Sequence, residues 1–268
     1  MTNLKFPEIV YKYRSWQNKC HKNLLLYNEL FFASPKDFND PFDCRIPPNY
    51  IDLSEEEKEQ YFNDFIKDRV DKNQPGNDQL ISNFRKRLDD KKEFQKEVEK
   101  TTFGWQDKYY GIISLSCKWN SILMWSIYSD SHKGFCVGFW EEKLRKYGLA
   151  GRIKEVSYDN KFPDLKPFVA RTAEDMIKPI FIQLFTKSNE WQFENEYRLV
   201  YNYFDNEPLP FERLIYIPDD IFAEVTLGIN IPESDRKEII KICTFKKIPV
   251  YQAIKKPFRF EIDRTLID

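Results

Sequence analysis

Two carboxylates and a guanidinium lie two residues apart in the last third of the chain. They are Glu194, Glu196 and Arg198, and the alternating run that they begin is typical of a β-strand. Because successive side chains of a strand point to opposite faces, we expect these three to share one face. A fixed carboxylate stabilises a substrate that develops positive charge, so the segment is a candidate catalytic site. The same pattern also keeps exposed edge strands soluble, and this structural alternative stays open.

Two earlier segments with strand-like patterns also end in polar side chains. One carries Ser114 and Ser116, which should share a face by the same alternation. The other lies near the N-terminus and ends in Tyr13 and Arg14. A short helix and a buried strand are predicted after the Ser-x-Ser strand. The motifs therefore follow one another as a strand with an arginine, a strand with Ser-x-Ser, a helix and strand, and a strand with Glu-x-Glu.

Four segments together resemble a bacterial family catalogued as domain of unknown function 2971. The segments are 11–13, 31–43, 123–134 and 191–198. The resemblance spans nearly the whole chain. It implies membership of a family to which no chemistry is assigned.

The order of the motifs also resembles the Arg-Ser-Glu class of ADP-ribosyltransferases, which bind NAD in a split α+β sheet. The resemblance implies that Glu196 bonds the ribose 2-hydroxyl and stabilises the oxocarbenium-like charge that forms when nicotinamide leaves. It further implies that Glu194 orients or deprotonates an acceptor, typically a guanidine-like group, and that Arg14 pairs the pyrophosphate. Ser114 would support the ribose or the catalytic carboxylate, with Ser116 behind it.

Further residues are expected to line the same NAD pocket. They are Tyr13, Asn39, Asp40, Trp125, Tyr128, His132 and Arg198. Structural alternatives stay open for several of them. The Trp125 and Tyr128 spacing also suits packing on one helix face, the His132 ring could bond a backbone carbonyl at a helix end, and Asn-Asp-Pro is a common start of a turn.

The periodicity of the chain predicts one α+β domain over residues 1–268, with a split, mixed or antiparallel β core. A helical hairpin is predicted as an insertion at 54–100, with a capping box at Ser54 and a turn at 73–77. Other helices are predicted after a cap at Asn120, over 167–187 with a kink or a split at Pro179, and over 232–244. Predicted strands cover 10–14, 112–116, 135–139, 196–203, 214–217, 224–229, 250–254 and 258–262.

Composition limits the possible classes of protein. With 42 basic and 43 acidic residues, the net charge of −1 provides no global field for nucleic acid or an anionic membrane. No apolar stretch approaches the roughly 20 residues that span a bilayer, and the first residues lack a signal-peptide pattern, so we expect a cytoplasmic protein. The five cysteines are unpaired in the sequence and are expected to be reduced, packed thiols, and two histidines are too few for a histidine-rich metal site.

Three functions are compatible with these patterns. The first is an NAD-dependent ADP-ribosyltransferase-like enzyme, acting as a bacterial toxin, defence or stress effector on a protein or small-molecule acceptor. The second is a non-catalytic module that senses a nucleotide or NAD-like molecule or binds a partner. The third is a divalent-metal nuclease or phosphohydrolase, in which Asp40, Asp43, Glu194 and Glu196 supply oxygen ligands and Lys187 precedes the acidic pair.

Overall fold

The chain forms two compact units in a computed structural model that describes residues 6–71, 74, 76–148, 151–204 and 206–267. Unit 1 comprises Met1–Asp37, Tyr109–Tyr158 and Asn189–Asp268. Unit 2 comprises Phe38–Lys108 and Asp159–Ser188. The predicted helical insertion at 54–100 therefore lies entirely within unit 2. The grouping of both units into one domain stays a prediction.

An eight-stranded mixed sheet forms the centre of unit 1. In spatial order its strands are β12 (Ile262–Leu266), β11 (Val250–Lys255), β10 (Phe222–Leu227), β4 (Phe135–Trp140), β1 (Ile9–Arg14), β3 (Tyr110–Ser116), β8 (Glu196–Asn202) and β5 (Arg152–Glu155). β10 and β11 are parallel, and the other neighbours are antiparallel. The predicted α+β class and mixed sheet are confirmed.

The sheet opens between β1 and β3. β1 pairs with β4 over its six residues, whereas in the described part of the chain its pairing with β3 is limited to Tyr11 and Ser116. Beyond that pair, the Lys12 ammonium donates a hydrogen bond to the Ser114 carbonyl oxygen at 2.6 Å. A side chain thus replaces the backbone ladder, and the sheet is split between the arginine strand and the Ser-x-Ser strand.

The other elements of unit 1 cover the two faces of this sheet. They are α1 (Lys19–Leu26), β2 (Glu29–Phe31), α5 (Ile122–Tyr128), α6 (Glu141–Lys146), β9 (Leu214–Tyr216) and α8 (Glu233–Lys246), whereas β6 (Ser157–Asp159) includes the first residue of the second segment of unit 2. Val10, Ile113 and Leu199 belong to one buried cluster, and Tyr13 and Trp125 belong to a second. Alternating strand residues supply the two clusters, which is why these strands were recognisable by their period of two.

Two predicted boundaries in unit 1 are wrong. α5 begins after Ser121, whose hydroxyl accepts a hydrogen bond from the Met124 backbone N–H, and not after Asn120. The segment 258–262 is mainly the turn between β11 and β12. Its apolar side chains resemble a strand pattern, but Phe258 has a φ of 56° and both Phe258 and Phe260 are fully exposed.

Helices dominate unit 2. They are α2 (Glu55–Arg69), α3 (Asn77–Asp89), most of α4 (Lys91–Tyr109) and α7 (Ala173–Phe185), followed by β7 (Thr186–Ser188). The capping box at Ser54 is as predicted. α7 begins after its cap at Thr172, later than the predicted 167, and continues through Pro179 without being split there. The predicted hairpin contains three helices instead of two, because the helical conformation is interrupted at Asp90. The Asp90 carboxylate accepts a hydrogen bond from the Glu93 backbone N–H at the start of α4. The predicted turn at 73–77 falls partly on residues outside the described part of the chain.

Candidate functional site

β3 and β8 bring the Ser-x-Ser and Glu-x-Arg side chains into register. Ser114 lies opposite Arg198, and Ser116 lies opposite Glu196. Residues directly opposite in an antiparallel pair share a face of the sheet. The two motifs, which are about 80 residues apart in the sequence, therefore meet on one face of unit 1, as the alternation predicted.

The strand β5 adds two cations to this face that the sequence analysis missed. Lys154 lies opposite Arg198, and Arg152 lies opposite Val200 on the far side of β8. Lys154 is exposed and Arg152 is half-buried. We call the side chains of Ser114, Glu196, Arg198, Arg152 and Lys154 the polar face. The alternation of Arg152-Ile-Lys154-Glu was the available signal, although four residues are few for recognising a strand.

Glu196 and Arg198 form a buried bidentate ion pair. Arg198 Nε lies 2.6 Å from Oε1 of Glu196, and its Nη2 lies 2.8 Å from Oε2. The exposed fractions are 4% for the glutamate and 0% for the arginine. The planar guanidinium fork matches the carboxylate and fixes its orientation. The expectation that Arg198 contacts a cofactor does not fit this burial, and the guanidinium instead positions the carboxylate.

Glu194 does not share the strand face with Glu196, contrary to the prediction. It is the last residue of a 3-10 helix, Asn189–Glu194, and Asn195 follows with a left-handed φ of 43°. The Tyr128 hydroxyl donates to Oε1 of Glu194 at 2.6 Å, and the Ser116 hydroxyl donates to its carbonyl oxygen at 2.6 Å. These two bonds fix the buried Glu194 carboxylate and its backbone relative to the first residue of β8.

Tyr13 and Trp125 belong to the buried core on this side of unit 1. Their rings meet edge to face at 5.2 Å, and the Trp125 indole donates to the Trp119 carbonyl oxygen. Burial raises the pKa of Tyr13 well above its ordinary value, and its hydroxyl donates to the Lys118 carbonyl oxygen. The packing alternative is therefore correct for Trp125, which is fully buried and is not an open platform for nicotinamide.

His132 adopts a left-handed conformation between α5 and β4. Its φ is 67°, its ring stacks nearly parallel on Trp125, and Nε2 lies 3.1 Å from the Ser126 hydroxyl. Burial and then Lys255 lower the pKa of His132, so the neutral ring is favoured. The ring borders a cavity of about 730 Å³ beneath the turn between β11 and β12. Gly228 is required here, because a Cβ at that position would lie 2.1 Å from the His132 carbonyl oxygen.

Arg14 lies on the opposite side of the sheet from the polar face. Tyr11 pairs with Ser116, so Tyr11 shares the face of the Ser-x-Ser motif, and Lys12 and Arg14 alternate with it. Burial lowers the pKa of Arg14 to about 10. Burial, Arg14 and Lys12 together lower the pKa of His21 to about 4, which places the three groups near one another. The predicted contact of Arg14 with a pyrophosphate on the polar face does not fit this register.

Asn39 and Asp40 lie in unit 2 at the predicted turn. Asn39 is exposed, whereas Asp40 is buried and its Oδ1 accepts a hydrogen bond from the Phe42 backbone N–H at 2.9 Å. The Asp43 N–H bonds to the Asp40 carbonyl oxygen in the same turn. The structural role of the Asn-Asp-Pro turn is confirmed. The contact of these residues with ribose or an acceptor stays a prediction.

In the described part of the chain, no group of three or more His, Cys, Asp or Glu side chains is placed to hold a metal ion. Asp43 pairs with Lys187 at 3.3 Å in unit 2, as Glu196 pairs with Arg198 in unit 1.

None of the five cysteines, all of which the structure describes, forms a disulfide bond. Burial raises the pKa of Cys117 to about 12, which disfavours the nucleophilic thiolate.

Comparison with known proteins gives one match. A family described as Protein of unknown function (DUF2971) matches residues 124–199. The matched stretch runs from α5 into β8 and contains Tyr128, His132, Glu194, Glu196 and Arg198. The match supports the resemblance to this uncharacterised family. No curated protein and no solved structure matches the chain. Among the described residues, no helix combines the length and apolar character needed to cross a bilayer.

Proposed function

We propose that the chain binds NAD on the polar face of unit 1 and acts as an ADP-ribosyltransferase-like enzyme. The observation that carries the proposal is the meeting of the motifs. The arginine strand β1, the Ser-x-Ser strand β3 and the strand β8, which begins at Glu196, are consecutive neighbours in the sheet, and the sheet opens between the first two. This is the arrangement that the motif order implies for a class that binds NAD in a split sheet.

Glu196 has the central role in the proposed reaction. When the bond between ribose C1 and nicotinamide breaks, nicotinamide leaves with the electron pair and positive charge develops on the ribose. A carboxylate bonded to the 2-hydroxyl stabilises this charge. The acceptor then forms a new bond to C1 and loses a proton. The Arg198 fork supplies the fixed orientation of the Glu196 carboxylate.

Glu194 is the residue proposed to act on the acceptor substrate. Its carboxylate accepts a hydrogen bond from the Tyr128 hydroxyl, and its carbonyl oxygen accepts one from the Ser116 hydroxyl. These bonds give Glu194 a defined position beside the start of β8. A carboxylate there can orient a guanidine-like acceptor or take its proton. Whether the acceptor is a protein or a small molecule depends on groups beyond these contacts.

Lys154 and Arg152 replace Arg14 in the proposed recognition of the pyrophosphate. Both lie on the polar face beside Arg198, whereas Arg14 faces the other side. Cationic side chains form the strongest hydrogen bonds to phosphate oxygens. Lys154 is exposed and is therefore accessible to a phosphate group. The pyrophosphate is therefore expected near β5, with the ribose near β8.

Calorimetric titration with NAD and ADP-ribose tests the proposed site. Lys154→Glu should weaken binding of both ligands at least tenfold, because it reverses a charge that faces the pyrophosphate. Lys241→Glu is the matched control, since it makes the same charge change on the exposed side of α8. Equal affinities in the two variants would show that neither ligand uses the polar face.

A non-catalytic nucleotide-binding module is the second candidate. It is favoured by the burial of Glu196 and by its full pairing with Arg198, because a neutralised carboxylate stabilises a nearby cation less. This module would also bind NAD and lose affinity in Lys154→Glu, but it would release no nicotinamide. A role in toxicity, defence or stress and a cytoplasmic location are part of either proposal.

A further inference from the structure

We infer that unit 2 contains a separate binding site for a small organic cation, built around Asp40. The site is a cavity of about 240 Å³, much larger than the roughly 30 Å³ occupied by one water. Its walls include Asp40, Phe42, Ile46, Phe162 and Lys187. These residues belong to unit 2, and the inference does not rest on the function proposed for unit 1.

The Asp40 carboxylate has one satisfied and one unsatisfied oxygen. Oδ1 accepts from the Phe42 N–H, which completes the turn. Oδ2 is buried and has no hydrogen-bond partner among the described residues, and the residue as a whole is 6% exposed. Burying an ionised oxygen without a partner is costly unless a ligand supplies one. A ligand N–H group would supply the hydrogen bond that Oδ2 of Asp40 lacks.

The nearby charges leave the buried Asp40 carboxylate without a cationic partner among the described residues of the site. Lys187 lines the cavity, but its ammonium is paired with Asp43 at 3.3 Å and both side chains are buried. Asp40 is a second buried carboxylate, and none of the described cationic side chains forms an ion pair with it. At the rim, Asp159 and Lys161 are exposed and have opposite charges. A cationic ligand balances the charge, whereas an anion increases the imbalance.

The apolar walls indicate the kind of cation. Phe42 and Phe162 border the cavity, and both rings are largely exposed to solvent, while Ile46 is buried in its wall. Aromatic faces attract ammonium and guanidinium groups and also bury an apolar body. A calcium ion requires six to eight oxygen ligands, and these walls are mainly carbon. The site therefore fits a compact alkyl or aryl amine, or a guanidine.

Titration of the full chain with benzylamine, followed by calorimetry and by amide chemical shifts, tests the site. Benzyl alcohol serves as the neutral probe of nearly the same shape. We expect benzylamine to bind at least tenfold more tightly than benzyl alcohol and to shift the amide signals around Asp40. Equal binding of the two probes, or stronger binding of calcium than of benzylamine, would overturn the inference.

Two variants and a control separate the site from general electrostatics. Asp40→Asn keeps the size of the side chain and should weaken benzylamine binding at least tenfold, while Asp78→Asn, at the exposed start of α3 and outside the cavity lining, should change it less than twofold. Phe162→Ala alters an exposed ring and should weaken binding severalfold even if the Asp40 variant does not fold. Asp40→Asn should leave the unfolding midpoint unchanged or raise it, because it removes an unpaired buried charge. A lower midpoint with unchanged affinity would assign Asp40 to the turn alone.

Discussion

Arg198 holds Glu196 in a bidentate ion pair although the two residues lie on the same strand, two positions apart. The distances are 2.6 Å and 2.8 Å, and neither side chain is appreciably exposed. A pair of this kind couples folding and function. The carboxylate that the proposed chemistry needs is also the partner that makes the burial of Arg198 possible.

Removing one partner of this pair should destabilise unit 1 more than removing both. Arg198→Met removes the bidentate partner of the buried Glu196 carboxylate and is expected to lower the free energy of unfolding by about 3–5 kcal/mol. The double variant Arg198→Met/Glu196→Gln should recover much of that loss. Urea unfolding of the two variants measures the difference. Equal losses in the single and double variants would show that the pair is not coupled.

The hydrogen bond from Tyr128 to Glu194 should be worth more than an ordinary surface contact. Tyr128→Phe removes a 2.6 Å bond to a buried carboxylate, and bonds to charged groups typically contribute about 1.5–3 kcal/mol. Urea unfolding should show a loss of this size. Tyr27→Phe, which alters an exposed ring on the same unit, is the control and should change stability by less than about 0.5 kcal/mol. A loss no larger than that of the control would contradict the assigned bond.

His21 should make the stability of unit 1 sensitive to mild acid. Burial, with Arg14 and Lys12, lowers its pKa to about 4, so the folded state binds fewer protons than the unfolded state. The stabilisation from the neutral ring is fully present above the ordinary pKa of about 6.5 and is lost as the pH falls towards 4. His21→Asn should flatten the pH dependence of the urea midpoint within this window. An unchanged slope would show that His21 titrates normally when folded.

Two glycine substitutions should have opposite effects. A Cβ on Gly134 would lie 2.1 Å from the Arg14 carbonyl oxygen, so Gly134→Ala requires a backbone shift and should cost about 1–3 kcal/mol or more. Gly104 lies within α4 and a Cβ there meets open space, so Gly104→Ala should stabilise by about 0.5–1 kcal/mol. Thermal unfolding checks the signs. A neutral Gly134→Ala would show that β1 and the start of β4 separate easily.

Local patterns were sufficient to predict most strands of the large sheet, but not β5, β12 or the relative register of the strands. β1, β3, β4 and β8 were predicted to within two residues at each end, because alternating side chains fill two separate cores. The face occupied by Arg14 depends on which residue of β1 meets Ser116, and no local pattern contains that information. The break before β8 was missed because it depends on Asn195 adopting a positive φ. A capping signal predicted α5, whereas the burial of Trp125 depends on its packing against Tyr13.

Nicotinamide release from saturating NAD tests the central claim most directly. The wild-type chain should release nicotinamide, and the double variant Arg198→Met/Glu196→Gln should release it at least about a hundredfold more slowly, because it lacks the carboxylate at the ribose. Pairing the substitutions avoids burying the Arg198 guanidinium without the Glu196 carboxylate, and far-ultraviolet circular dichroism confirms that the variant is folded. Equal rates in the two proteins would contradict the role of Glu196. Binding of NAD by the wild-type chain without any release would identify a binding module instead of an enzyme.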